Sequence, residues 1–156
     1  MRITALAIGT RMPAWVDSGV QTYQKRLPRQ LDFTIQGLAS PRRSASAHAA
    51  TRRKQEAEVL LDAVPPGAHI VALDERGALW SSADLATQLE RWQNQASPLA
   101  LLIGGADGLD EGCRQRADQI WSLSPLTLPH ALVRVVLAEQ LYRAWTMQQG
   151  HPYHRD

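Results

Sequence analysis

The 156-residue sequence has a single cysteine, Cys113. One cysteine excludes an intramolecular disulfide and the multi-cysteine clusters of zinc ribbons and iron–sulfur proteins, and it fits a reducing compartment. Long apolar runs are lacking as well. No uncharged stretch approaches the roughly 18 residues of a membrane span, and the start, MRITALAIGT, has no cleavable signal pattern. These absences read as a soluble, cytoplasmic protein without a membrane partner. Repeats and low-complexity tracts are missing, and the length suits one domain over residues 1–156, with no room for an appended substrate-recognition domain. His48 and His69 have no partner at metal-ligand spacing, so no metal site is expected.

Net charge is also small, +2 for the whole chain. Evenly spread, it would argue against a nucleic-acid partner, but it is not evenly spread. Up to Lys54 there are ten basic and two acidic residues, a balance of +8, whereas the remainder holds seven basic and thirteen acidic, a balance of −6. The front section is therefore phosphate-seeking, with Arg42, Arg43, Arg52, Arg53 and Lys54 closely grouped, and binding should weaken steeply with salt.

What the sequence does have is an alternation of short apolar runs with amphipathic stretches. Ile3 to Ile8 reads as a strand closed by Gly9, and Pro13 opens a helix in which Trp15, Val16, Gly19, Val20, Tyr23 and Leu27 share a face until Pro28. Leu31, Phe33 and Ile35 alternate with polar residues, as in a strand near a sheet edge. A basic loop over Ala39 to Ala47 leads to a helix from about His48 to Val64, stopped by Pro65, Pro66 and Gly67. Strand His69–Asp74, a helix opened by Ser81 or Ser82, strand LALLIG, a short helix from about Asp110, strand IWSL and a long helix from Pro129 to about Gln149 complete the series. Continuous apolar strands between helices imply an α/β fold, a mostly parallel sheet with helices on both faces.

Ligands of such sheets bind beyond the carboxyl ends of the strands. Three ends stand out: Leu73-Asp74, the loop Gly104-Gly105-Ala106-Asp107-Gly108, and the run Leu123-Ser124-Pro125-Leu126-Thr127-Leu128-Pro129. The glycine loop lets a backbone approach a ligand, but it is neither a P-loop nor a dinucleotide fingerprint, and taken alone it is equally a tight turn. The proline-rich run leaves backbone groups without ladder partners, and its leucines could flank an adenine; by itself, without the neighbouring glycine loop, it reads first as a buried connector. After Gly150, the tail HPYHRD groups His151, Tyr153, His154 and Arg155, side chains able to stack on a base, bind phosphate or exchange a proton near neutral pH. Glu139, on the apolar final helix, reads as a paired structural carboxylate, and Cys113 as an incidental small side chain. That helix's broad apolar face is explained most simply by a central place in the core, and part of it is also available to a second subunit.

Together LLIGGADG, WSLSPLTLPHALVRVVLAEQLYRAW, the start AIGTRMPAWV and the terminal HPYHRD closely resemble the small SPOUT-class methyltransferases that modify N3 of a pseudouridine in 23S rRNA. Ala106-Asp107 stands where Pro-Glu is common in that family. The resemblance implies a C-terminal trefoil knot, an obligate homodimer and S-adenosyl-L-methionine as methyl donor. It places the donor at Leu73, Gly104, Gly105, Gly108 and the run Leu123, Ser124, Pro125, Leu126, Thr127 and Leu128. It makes His154, Tyr153 and Arg155 the catalytic group, with His151, Arg42, Arg43, Arg52 and Arg53 toward the RNA. The tail would close over a donor held mainly by the partner subunit. The implied substrate is 23S rRNA within the assembled 70S ribosome, with no DNA partner and no metal. His154 or Tyr153 would assist removal of the N3 proton or orient the uracil edge, and Arg155 would stabilise the developing anion. Two rivals remain open on the residues alone: a SPOUT methyltransferase of another rRNA or tRNA nucleotide, and a non-catalytic ribosome-binding module.

Overall fold

The computed structural model describes residues 1–41 and 48–155, and within them the alternation of strands and helices is complete. β1 (Arg2–Ile8) leads to α1 (Ala14–Gln24), β2 (Asp32–Leu38) to α2 (Ala49–Asp62), and β3 (His69–Leu79) to α3 (Ser82–Asn94). β4 (Leu99–Ile103), α4 (Glu111–Arg116), β5 (Gln119–Ser122) and α5 (His130–Gln148) follow, and a short 3₁₀ helix, Pro152–Arg155, ends the described chain. Arg42 and Arg43 lie outside the described residues.

The strands form one sheet in the order β2-β1-β4-β3-β5, and every pairing is parallel. β4 is buried along its whole length between β1 and β3, as its uninterrupted LALLI requires. The alternating β2 occupies an edge with a wet face.

Helices cover both faces. Trp92 and Leu89 of α3, Leu137 and Leu141 of α5 and Val20 of α1 pack on Ile3, Ala5, Val71, Leu101 and Trp121. On the other face Ala57 and Leu60 of α2 and Cys113 of α4 meet Leu6, Ile8, Ala72 and Leu102. Each fully buried leucine contributes roughly 1.5–3 kcal/mol relative to exposure.

β3 is longer than the His69–Asp74 expected from the sequence. Its register with β5 breaks between Leu73 and Ala78, after which Ala78 and Leu79 rejoin Trp121 and Ser122. The break holds Asp74, Glu75 and Arg76, charged residues that hide the continuation of the strand in a pattern search. Ser81 is the N-cap of α3 in a capping box: its hydroxyl accepts from the Asp84 N–H, and the Asp84 carboxylate accepts from the Ser81 N–H.

Candidate functional site

The break within β3, the carboxyl end of β4, the segment after β5 and the first turn of α5 enclose a cleft of about 640 Å³, a volume ordinary for a small-molecule site. Leu73, Gly104, Gly105, Gly108, Leu123, Ser124, Leu126, Thr127 and Leu128 all line it. Pro125 does not. The Ser124 hydroxyl accepts from the Leu126 N–H in a tight turn, and Pro125 stands exposed at its tip.

The glycine loop has no room for a side chain at Gly104. A Cβ on Gly104 would stand 2.6 Å from the Gly108 carbonyl group, and Gly108 itself has φ +83°, a left-handed conformation that glycine adopts without strain. The Gly108 N–H donates to the Gly105 carbonyl at 3.0 Å, closing the loop on itself. In the proline-rich run, the Ser122 hydroxyl donates to the Ser124 carbonyl. Among the described residues, the Leu128 N–H and the Leu126 carbonyl have no protein partner, so a donor and an acceptor remain for a ligand. Leu126 is 72% exposed, a large apolar side chain at the cleft with little covering it.

Three carboxylates also line the cleft. Asp74 accepts from Arg114 at 3.0 Å, and Arg114 is in turn held by Glu111 and the Leu109 carbonyl. Asp107 binds Arg52 through both oxygens, at 2.8 and 3.2 Å. Glu75 accepts from the Thr127 hydroxyl across the cleft mouth. Arg52, expected toward the RNA, is engaged through Nε and Nη2 by Asp107 of the glycine loop. Arg53, one residue on, is half-buried.

The tail lies elsewhere in the same chain. The Tyr153 hydroxyl donates to Glu139 at 2.9 Å, and its ring meets Tyr142 edge-on at 4.7 Å and lies under the Arg143 guanidinium at 4.9 Å. Glu139 also accepts from Arg143 and Gln140, which bears out its reading as a structural carboxylate. Glu139 is nine residues beyond His130 on α5, about 14 Å along the axis at 1.5 Å per residue. None of His151, Tyr153, His154 and Arg155 lines the cleft of its own chain. Burial, together with the Glu139 carboxylate and Tyr23, pushes the Tyr153 phenol well above its ordinary value. In this arrangement Tyr153 is held as a hydrogen-bond donor to Glu139. The His154 Nδ1 is buried with no partner among the described residues.

The family model described as predicted SPOUT methyltransferase matches residues 1–154. This chain belongs to the SPOUT methyltransferases. It is 51% identical, over the full length of both chains, to the ribosomal RNA large subunit methyltransferase H of Hahella chejuensis. It is 47% identical, again over both full lengths, to the protein of that name from Thioalkalivibrio sulfidiphilus, and 48% identical, over 99% of each, to that of Nitrosococcus oceani. Its fold is shared with the crystal structure of TrmJ from Z. mobilis, at a TM-score of 0.53 and 13% identity over 94% of this chain and 70% of the other. A putative methylase family protein from Neisseria gonorrhoeae gives a TM-score of 0.55 at 17% identity, covering 90% and 81%.

In this SPOUT methyltransferase several cleft residues escape a motif search. His130 and Val133, on the first turn of α5, line the cleft behind Pro129, and the Pro-His start of that helix was the available signal. Arg134, only 6% exposed, donates through Nη2 to the Gly9 carbonyl at 2.8 Å and pins the end of β1 to α5. Its neighbours in sequence, all apolar, give no hint of that role. Cys113 is fully buried and its thiol is pushed up to about 11, chiefly by burial, consistent with a small core side chain.

Proposed function

We propose that this SPOUT methyltransferase transfers a methyl group from S-adenosyl-L-methionine to N3 of a pseudouridine in 23S rRNA, acting in the cytoplasm on the large subunit within the assembled 70S ribosome. The observation that carries the reading is end-to-end identity of about half with relatives named for the large ribosomal subunit RNA, in a chain with its cleft at the strand ends. The cleft fits the donor. Leu123, Leu126 and Leu128 offer aliphatic surface to the faces of an adenine, the Leu128 N–H and Leu126 carbonyl, without partners among the described residues, suit its edge, and Gly104 brings backbone where a side chain would block approach.

When bound, S-adenosyl-L-methionine supplies an electrophilic methyl group on a sulfonium. The chain's own part is alignment: the two loops fix one reactant against the other, and proximity supplies most of the gain. The N3 proton must also leave. With Tyr153 held as a donor to Glu139, its part is to anchor the tail. His154 and His151 are then the proton acceptors within the tail, and Arg155 stabilises charge developing on the uracil.

A tail packed on its own α5 and off its own cleft supports a homodimer in which each tail serves the partner's donor site. Half-buried Leu132, Val135 and Val136 on α5 and Trp15, 56% exposed on α1, offer apolar surface for that association. The crossing of β4 between β1 and β3, with α5 returning to the end of β1 through Arg134, supports a knotted C-terminal segment.

The test is transfer of labelled methyl to free 23S rRNA, 50S subunits, 70S ribosomes and bulk tRNA from a strain lacking the modification, with the modified base located by mass spectrometry. Label on N3 of one pseudouridine, strongest with 70S particles, is expected. Label only on tRNA would assign a different nucleotide substrate, and no label on any of them would leave a ribosome-binding module.

A further inference from the structure

Arg52 belongs to the basic front section, yet its guanidinium is turned to the glycine loop. It stands in the first turn of α2 and meets Asp107 side-on, Nε to Oδ2 at 2.8 Å and Nη2 to Oδ1 at 3.2 Å, with both side chains about four-fifths buried. This two-pronged geometry fixes direction as well as distance. One turn further along α2, the buried Glu56 carboxylate lies directly beneath the same loop, 3.0 Å from where a Cβ of Gly105 would be. The loop in question has three glycines in five residues, so it loses unusual backbone freedom on ordering, and its closing bond from Gly108 to Gly105 is local. The Arg52–Asp107 pair ties the middle of the loop to a helix packed in the core, between its buried ends at Gly104 and Leu109.

We infer that Arg52 is a positioning residue for methyl-donor binding: through Asp107 it holds the Gly104–Gly108 loop in its donor-binding form. The inference rests on the donor reading of the cleft given above. It separates Arg52 from its basic neighbours, whose chemistry points to RNA phosphate. A charge argument alone makes the opposite prediction, because freeing the Asp107 carboxylate beside a cationic donor would strengthen binding.

The experiment titrates the full-length protein with S-adenosyl-L-methionine by calorimetry and measures methyl transfer to ribosomes. Arg52→Gln is expected to raise the donor Kd and KM about fivefold to tenfold, the scale of a charge-assisted hydrogen-bonded pair partly open to water. With donor saturating, kcat should stay within about twofold. Asp107→Asn should give a similar loss, and the double variant should be no worse than either single one. The exchange Arg52→Asp with Asp107→Arg should recover part of the affinity, a rescue that general loosening of α2 would not show. Lys54→Gln removes the same charge from an exposed position two residues along and should leave the donor Kd unchanged. Unchanged or tighter donor binding by Arg52→Gln, or fully additive losses in the double variant, would overturn the proposal. Absence of binding to the wild-type chain would remove the donor reading and this inference with it, whereas equal binding by wild type and Arg52→Gln would remove the inference alone.

Discussion

A tyrosine in a loose terminal segment ionises near its ordinary value of about 10, but Tyr153 is clamped between Tyr142, Arg143 and Glu139. Its raised value means that the protonated phenol is the form the fold favours. The contribution is complete below about pH 10 and is lost as pH rises above it. In a spectrophotometric titration of the three tyrosines, one should therefore ionise late, and Tyr153→Phe should remove that late step. Gly104 gives a second expectation at this scale. The 2.6 Å approach of a Cβ to the Gly108 carbonyl leaves backbone with nowhere to go, so Gly104→Ala should reshape the loop and weaken donor binding at least about tenfold, measured by calorimetry, with the circular dichroism spectrum retained. Residues of this kind are legible in a sequence because glycine and proline act on their own backbone. Arg52, Arg134 and Glu139 are not, because each is defined by a partner far along the chain or by burial that no local pattern encodes.

Elements were legible where a hydrophobic period ran uninterrupted. β4 and α3 are examples: five apolar residues in a row between covered faces, and Leu85, Leu89 and Trp92 on one side of a helix. The start of α3 was legible too, as a serine before a periodic run, and the structure selects Ser81 by closing the capping box with Asp84. Ser81→Ala should cost about 1 kcal/mol, lowering the midpoint of thermal unfolding by about 2–4 °C in a chain of this size, without altering donor affinity. The second half of β3 was hidden because its return to β5 follows a break occupied by charged residues. That break serves the site, since Leu73, Asp74 and Glu75 at its start line the cleft. The tail also differs from its sequence pattern, as a 3₁₀ turn anchored on α5 by one phenol and one carboxylate.

At the scale of the whole molecule, the tail stands off the cleft of its own chain, so a site that uses both draws on two copies. If two copies share each site, a chain lacking residues 150–156 and a chain carrying Gly104→Ala should each have little activity alone when the methyl donor is held well below the variant's Kd. Mixed and co-refolded, they should regain activity in the fraction of dimers that pairs an intact cleft with an intact tail. Methyl transfer against mixing ratio measures this, and a flat line at zero would confine cleft and tail to one chain. The near-neutral total charge conceals a basic front and an acidic remainder, and the structure divides it further by binding Arg52 to Asp107. By itself the sequence determined the strand and helix alternation, the α/β class, the family and the loops that form the cleft, because these depend on local periodicity, on backbone chemistry at glycine and proline, and on motifs contiguous in the chain. Only the tertiary structure decided which charges are paired, that Tyr153 is a donor and an anchor, and that the tail stands off its own cleft. Those outcomes depend on burial and on neighbours many residues distant, which the folded chain alone brings within hydrogen-bonding range.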